Sequence, residues 1–136
     1  ERTAEEIKIN IGSAMYLDKK LTLDVKGRDM VTGLPRTITL TSDDVTEAIQ
    51  HELAGMITAL KEVLNVTPPE LSADVMEKGM ILSGGSSQLR NIAELFSQAT
   101  GVPAYVADDP WLCVVKGTGI ALENLASYKR SVLTMK

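Results

Sequence analysis

Residues 81–92 read ILSGGSSQLRNI. A short apolar run ends in the glycine pair Gly84–Gly85, two serines follow, and a helical pattern begins. Strand, glycine turn and helix start leave bare backbone beside a helix N-terminus, a place that suits anions and lets a ligand approach closely. The segment has no lysine of the Walker type, and its glycines are not spaced as a dinucleotide fingerprint. Taken alone, a tight strand–helix turn accounts for the stretch. If it binds a ligand, the missing lysine favours a nucleoside over a phosphate.

Working outward, MIL at 80–82 reads as a short buried strand. A helix is expected from about Ser87 to Thr100, with Leu89, Ile92, Ala93, Phe96 and Ala99 as its stripe and Gly101 as its end. VPAYVA at 102–107 reads as a second strand. DDP at 108–110 opens the last helix, with Asp109 as cap and Pro110 at the first position. That helix carries Gly117 and Gly119 inside it, where each costs ~1 kcal/mol against alanine. Close approach of another backbone is the expected reason. The tail SYKRSVLTMK at 127–136 is basic and expected to fray.

On the upstream side, residues 1–14 form an amphipathic helix, with Ala4, Ile7, Ile11 and Ala14 on one face. Glu5, Lys8 and Gly12 fall on the other face, with Ile9 as an apolar exception. Residues 20–29 and 35–41 alternate apolar and polar, and DMVTG between them makes a hairpin. TSDD at 41–44 starts a long helix, capped by Thr41 or Ser42, with Asp43 and Asp44 at the positive end of its dipole. It runs to about Leu64, burying Val45, Ile49, Leu53, Met56, Ile57, Leu60 and Leu64. TPPE at 67–70 stops it, and a short helix from Pro69 closes at Gly79. The order is an α/β or α+β pattern with a separable hairpin insert.

A chain of 136 residues is one domain or a large piece of a bigger one. A hydrophobic fraction of 44% and a charged fraction of 24% are those of an ordinary soluble protein. A net charge of −4 and the lack of a basic stripe argue against nucleic-acid partners. The single cysteine, Cys113, excludes an intramolecular disulfide, and with the lone His51 far away it argues against a zinc site. No membrane span or signal pattern is visible. The chain lacks an initiator methionine and opens inside a helical pattern without a cap, as a fragment of a longer protein would.

Catalytic residues are not expected. The Asp pairs at 43–44 and 108–109 precede helices and are explained by capping, and one histidine leaves no triad to argue. Cys113 reads as a buried small hydrophobe, and Trp111 fits either core or interface. Glu5 and Lys8 are i,i+3 neighbours. They read as a solvated ion pair, or as a carboxylate for ribose hydroxyls beside a lysine donor. In the second reading, Ile9 and Gly12 offer an apolar platform and a gap to a flat base.

Four segments in order, TAEEIKINIGSA, VKGRDMVTGLPRTITL, TPPELSADVMEKGMILSGG and TGVPAYVADDPWLCVVKGTGIALEN, carry a resemblance. Over residues 1 to about 125 the chain resembles the C-terminal half of the MreB family, bacterial actin homologues that determine rod shape. The resemblance implies an α/β fold: the second lobe, incomplete, of an actin-like (ribonuclease H-like) ATPase with a β-hairpin plus helix insert. Residues 1–14 and 65–127 would belong to subdomain IIA, 15–64 to subdomain IIB, and 128–136 to a tail.

The resemblance also implies a function: binding of ATP with Mg2+ between two lobes, slow ATP hydrolysis, and polymerisation into cytoplasmic filaments at the inner face of the membrane. Implied partners are other subunits, the upstream lobe of the same protein, and cell-wall synthesis and morphogenesis proteins. The membrane would be touched only by segments outside this stretch. In the wider superfamily a Glu-x-x-Lys helix holds ribose and adenine, and a Gly-Gly turn contacts the adenosine from the other side. This carries over to Glu5 and Lys8 and to Gly84 and Gly85, with Ile9, Gly12 and Ser86 beside the base.

Two departures stand out. Ser86, Ser87 and Gln88 replace a third glycine and apolar residues, and Trp111–Leu112 replace a leucine and a polar residue. The family's phosphate loops, magnesium-binding acids and water-positioning group lie upstream. The chain alone is therefore expected to carry only the adenosine side, to hold no cofactor tightly and to hydrolyse no ATP. Strands deprived of upstream neighbours are expected to invite dimerisation or strand exchange. The alternatives are another branch of the superfamily (a plasmid- or organelle-positioning actin, or a heat-shock-type ATPase lobe) or an α/β binding domain without nucleotide. The hairpin VKGRDMVTGLPR favours MreB among the branches.

Overall fold

Alternating side chains fold β1 (Thr22–Arg28) back on β2 (Pro35–Thr41) as an antiparallel pair, in register from Thr22↔Thr41 to Arg28↔Pro35, in a computed structural model that describes residues 1–128. Asp29 shapes the connecting loop, its Oδ1 accepting from the Val31 and Thr32 amides at 2.9 Å each. Thr41 then caps α2 (Ser42–Val66). Its hydroxyl accepts from the Asp44 amide at 3.3 Å, while the Asp44 carboxylate accepts from the Thr41 amide at 2.8 Å, a reciprocal capping box. The helix runs two residues past Leu64. Leu53 is buried as expected, but Met56 is 44% exposed.

Helix α1 (Arg2–Ile11) is shorter than the periodicity of residues 1–14 predicts. It ends where Gly12 turns extended, at φ −67° and ψ 144°. Ile11 is buried and Ile7 half-buried, Ala4 is exposed, and Ala14 is buried beyond the helix rather than on it. There the chain runs beside Arg90 in an isolated parallel bridge from Ser13.

The short helix α3 (Pro69–Lys78) starts on its proline and leads through Gly79 into β3 (Met80–Leu82). β3 pairs in parallel with β4 (Ala104–Val106), from Met80↔Ala104 to Leu82↔Val106. β3 is not the buried strand its apolar run predicts: Met80 and Leu82 turn to the core, and Ile81 is 66% exposed. The predicted 87–100 helix is also split. A 3-10 turn covers Gly85–Gln88, Asn91 is left-handed at φ 59°, and α4 spans Ile92–Thr100. The reason is local: the buried Ser87 hydroxyl donates to the Gly84 carbonyl at 2.7 Å and closes the turn on itself.

A second 3-10 turn, Pro110–Leu112, precedes α5 (Cys113–Glu123). Asp109 does not cap it by its side chain, because its carboxylate is drawn onward to pair with Lys116. Cys113 is half-buried. Among the described residues nothing comes within 4 Å of where a Cβ on Gly117 or Gly119 would stand, so no backbone approach accounts for those glycines. The part of the predicted tail from 129 to 136 lies outside the described residues.

The core joins α2 to α4 across the β3–β4 pair through Leu53, Ile92, Phe96 and Ala104, with Ala14 closing it from the α1 side. No described helix is long and apolar enough to cross a membrane.

Candidate functional site

The end of α1 and the glycine turn after β3 face one groove of about 980 Å³. From α1 come Glu5, Lys8 and Ile9, which share one side of the helix by their spacing, and Gly12 just past its end. From the first 3-10 turn come Gly85 and Ser86. Six of the seven residues singled out from sequence thus line the same space, from segments that are distant in the chain.

Gly84 is the exception. It has φ 84°, its amide donates to the Pro110 carbonyl at 2.9 Å, and its carbonyl accepts from Ser87. Gly84 shapes the turn and anchors the segment before α5, leaving Gly85 and Ser86 to face the groove.

Of the two readings of Glu5 and Lys8, the solvated ion pair does not form. The pair on α1 is Arg2–Glu6, at 3.2 Å, and among the described residues neither Glu5 nor Lys8 has an ion-pair partner. A carboxylate and an ammonium are therefore both free to meet a polar ligand. Ile9 beside them is 65% exposed, an apolar surface on the groove wall.

Arg90 holds the two walls together. Its Nη1 donates to the carbonyls of Asn10, at 3.0 Å, and Gly12, at 3.2 Å, and its own carbonyl accepts from the Ala14 amide at 2.8 Å. The bond to Asn10 satisfies a carbonyl that α1 leaves open in its last turn.

Sequence reasoning missed Glu52, Arg90 and the groove position of Trp111. Glu52 was findable: Ile49, Glu52 and Met56 share one face of α2 by spacing, and all three line the groove. Arg90 carries no local signal, since its partners lie 78 and 80 positions away.

No group of three or more His, Cys, Asp or Glu side chains among the described residues is placed to hold a metal ion.

The comparisons with known proteins agree with one another. The MreB/Mbl protein family model matches residues 1–130. The chain is 48% identical over 133 residues to the cell shape-determining protein Mbl of Bacillus cereus, covering 98% of this chain and 40% of that protein. It is 46% identical over 125 residues to the cell shape-determining protein MreB of Escherichia coli K12, covering 92% and 36%. Among solved structures, MreB5 of Spiroplasma citri bound to ADP superimposes with a TM-score of 0.86 at 31% identity, over 91% of this chain and 38% of that one. The same protein bound to AMPPNP gives 0.86 at 30% identity, over 97% and 40%.

The architecture is thus a partial actin-like α/β fold. The chain belongs to the MreB/Mbl family of cell shape-determining proteins. It spans 36–40% of the length of these relatives.

Proposed function

We propose that the groove is the adenosine side of an ATP cleft in a filament-forming protein of bacterial cell shape. One observation carries the reading: Glu5, Lys8, Ile9 and Gly12 face Gly85 and Ser86 across a single groove. In this reading the Glu5 carboxylate accepts from ribose hydroxyls and the Lys8 ammonium donates to the nucleoside. Ile9 supplies an apolar surface for the base, and Gly12 leaves it room. Gly85 and Ser86 form the opposite wall, on the turn that Gly84 shapes. That the solved relatives were bound to ADP and AMPPNP supports a nucleotide ligand.

The phosphates and Mg2+ would be held by parts of the protein that precede this stretch. Residues 1–14 and 65–127 would form subdomain IIA and residues 15–64 subdomain IIB. Slow ATP hydrolysis, assembly with further copies, work with cell-wall synthesis proteins and a place at the inner face of the membrane belong to the intact protein.

Isothermal titration of ATP and ADP against the intact protein tests the reading. Lys8→Ala is expected to weaken both by about tenfold, the loss of one charge-assisted hydrogen bond. Equal affinity for wild type and variant overturns the assignment. The 136-residue chain alone is expected to show no ATP turnover. Turnover abolished by Glu5→Gln would overturn the idea that the phosphate machinery lies elsewhere.

A further inference from the structure

Trp111 is the chain's only tryptophan, and it is 66% exposed. Exposure alone does not set it apart, because exposed apolar side chains are common on protein surfaces. Trp111 is not out on a remote surface, because it lines the same groove as Lys8, Ile9 and Gly85. Its ring lies against bare backbone. A Cβ on Gly85 would stand 2.8 Å from Cη2, closer than a real Cβ is found, and 3.1 Å from both Cζ2 and Cζ3. The six-membered edge of the indole therefore occupies the space that any side chain at 85 would need.

The backbone that carries the ring is also braced. The Gly84 amide donates to the Pro110 carbonyl at 2.9 Å, tying the residue before Trp111 to the glycine turn. The Leu112 amide donates to the Asp109 carbonyl at 2.8 Å, closing the 3-10 turn around it. Pro110 fixes its own φ. An aromatic side chain set on a short, braced turn loses little freedom when a ligand covers it.

We infer that Trp111 is a ring-binding residue of the groove: a planar heterocyclic base entering between Ile9 and the Gly85 turn packs on the indole. This rests on the reading of the groove as an adenosine site and adds what selects the base. A purine offers more ring area to the indole than a pyrimidine, so Trp111 sets a preference for purine nucleotides.

The test uses the intact protein as wild type, Trp111→Leu, Trp111→Phe and Lys8→Ala, titrated with ADP and UDP. Trp111→Leu is expected to weaken ADP by roughly tenfold and to change UDP by less than about twofold, narrowing the purine preference, whereas Trp111→Phe keeps most of the ADP affinity. The difference in emission between wild type and Trp111→Phe should fall as ADP is added and saturate at the calorimetric Kd. If Trp111→Leu binds ADP as wild type does while Lys8→Ala binds it weakly, the adenosine reading stands and the role of Trp111 is overturned. If wild type binds no ADP, both fall. Where Trp111→Leu lowers Tm by more than a few degrees, the indole emission decides. An unchanged signal at saturating ADP overturns the proposal.

Discussion

Arg90 Nη1 donates to the main-chain carbonyl of Asn10 at 3.0 Å, joining the segment before α4 to the last turn of α1. A second bond from the same nitrogen reaches Gly12. Among the described residues no other arginine bonds across these two walls of the groove. Arg90→Ala is expected to cost about 1 kcal/mol, below the usual range for charged hydrogen bonds because the arginine is exposed. ADP affinity should fall as well, since Glu5 and Lys8 lose their anchorage. Denaturant midpoints and calorimetry check both. An unchanged affinity would show that α1 keeps its position without the arginine.

Two glycines separate backbone crowding from helix propensity. A methyl on Gly12 would collide with the carbonyl oxygen of Lys8, to which the Gly12 amide also donates, at 2.9 Å. Gly12→Ala is expected to destabilise by about 1–3 kcal/mol and to displace Lys8. Around Gly55, inside α2, a Cβ would meet nothing within 4 Å, so Gly55→Ala is expected to stabilise by up to ~1 kcal/mol. Equilibrium unfolding of the two variants should give shifts of opposite sign.

The capping box predicts an acid dependence. The Thr41 hydroxyl, followed by the Thr41 amide, holds the Asp44 carboxyl below its ordinary value. In the folded state Asp44 therefore stays ionised to lower pH than in the unfolded chain. The stability it contributes is present above the usual carboxylate range and is lost as pH falls through that range and below. Asp44→Asn removes this dependence. Thermal melts by circular dichroism at pH 7 and pH 3 should differ less in the variant than in wild type. An equal difference would mean that the box does not titrate with folding.

Phe96 is 7% exposed, sits in the core joining α2 to α4, and also lines the groove. Phe96→Ala is expected to lower stability by about 3–5 kcal/mol through the cavity it leaves. Urea unfolding should show a lower midpoint at unchanged m.

Much of this was legible in the residues. β2 begins and ends as its alternation indicates, and Thr41 with Asp44 announces the start of α2. Those features are local, set by neighbours a few positions apart. What sequence misplaced was decided by contacts far along the chain. The periodicity of 1–14 counts Ala14 as helical, whereas the bridge to Arg90 pulls it off the helix and into the core. The apolar run at 80–82 looks buried on both sides, yet among the described residues the β3–β4 pair has a covering layer on one face only. For the groove, the Glu5–Lys8 spacing and the glycine pair were each ambiguous. Gly84 and Gly85 look alike in sequence, and only the bond from Gly84 to Pro110 tells the turn-former from the groove residue.

Ser13 is fully buried, and its bonds reach three places. Its carbonyl accepts from Thr46 Oγ1 on α2 at 3.0 Å, its hydroxyl meets the Arg90 carbonyl at 3.5 Å, and the Met15 amide donates back to that hydroxyl at 3.3 Å. Opening any one of these contacts leaves a buried polar group without a partner until the others open too. In hydrogen exchange, the amides of Ala14 and Ile92 should therefore lose protection together, as one cooperative unit, although α1 itself is mostly solvated and would fray residue by residue if it stood alone.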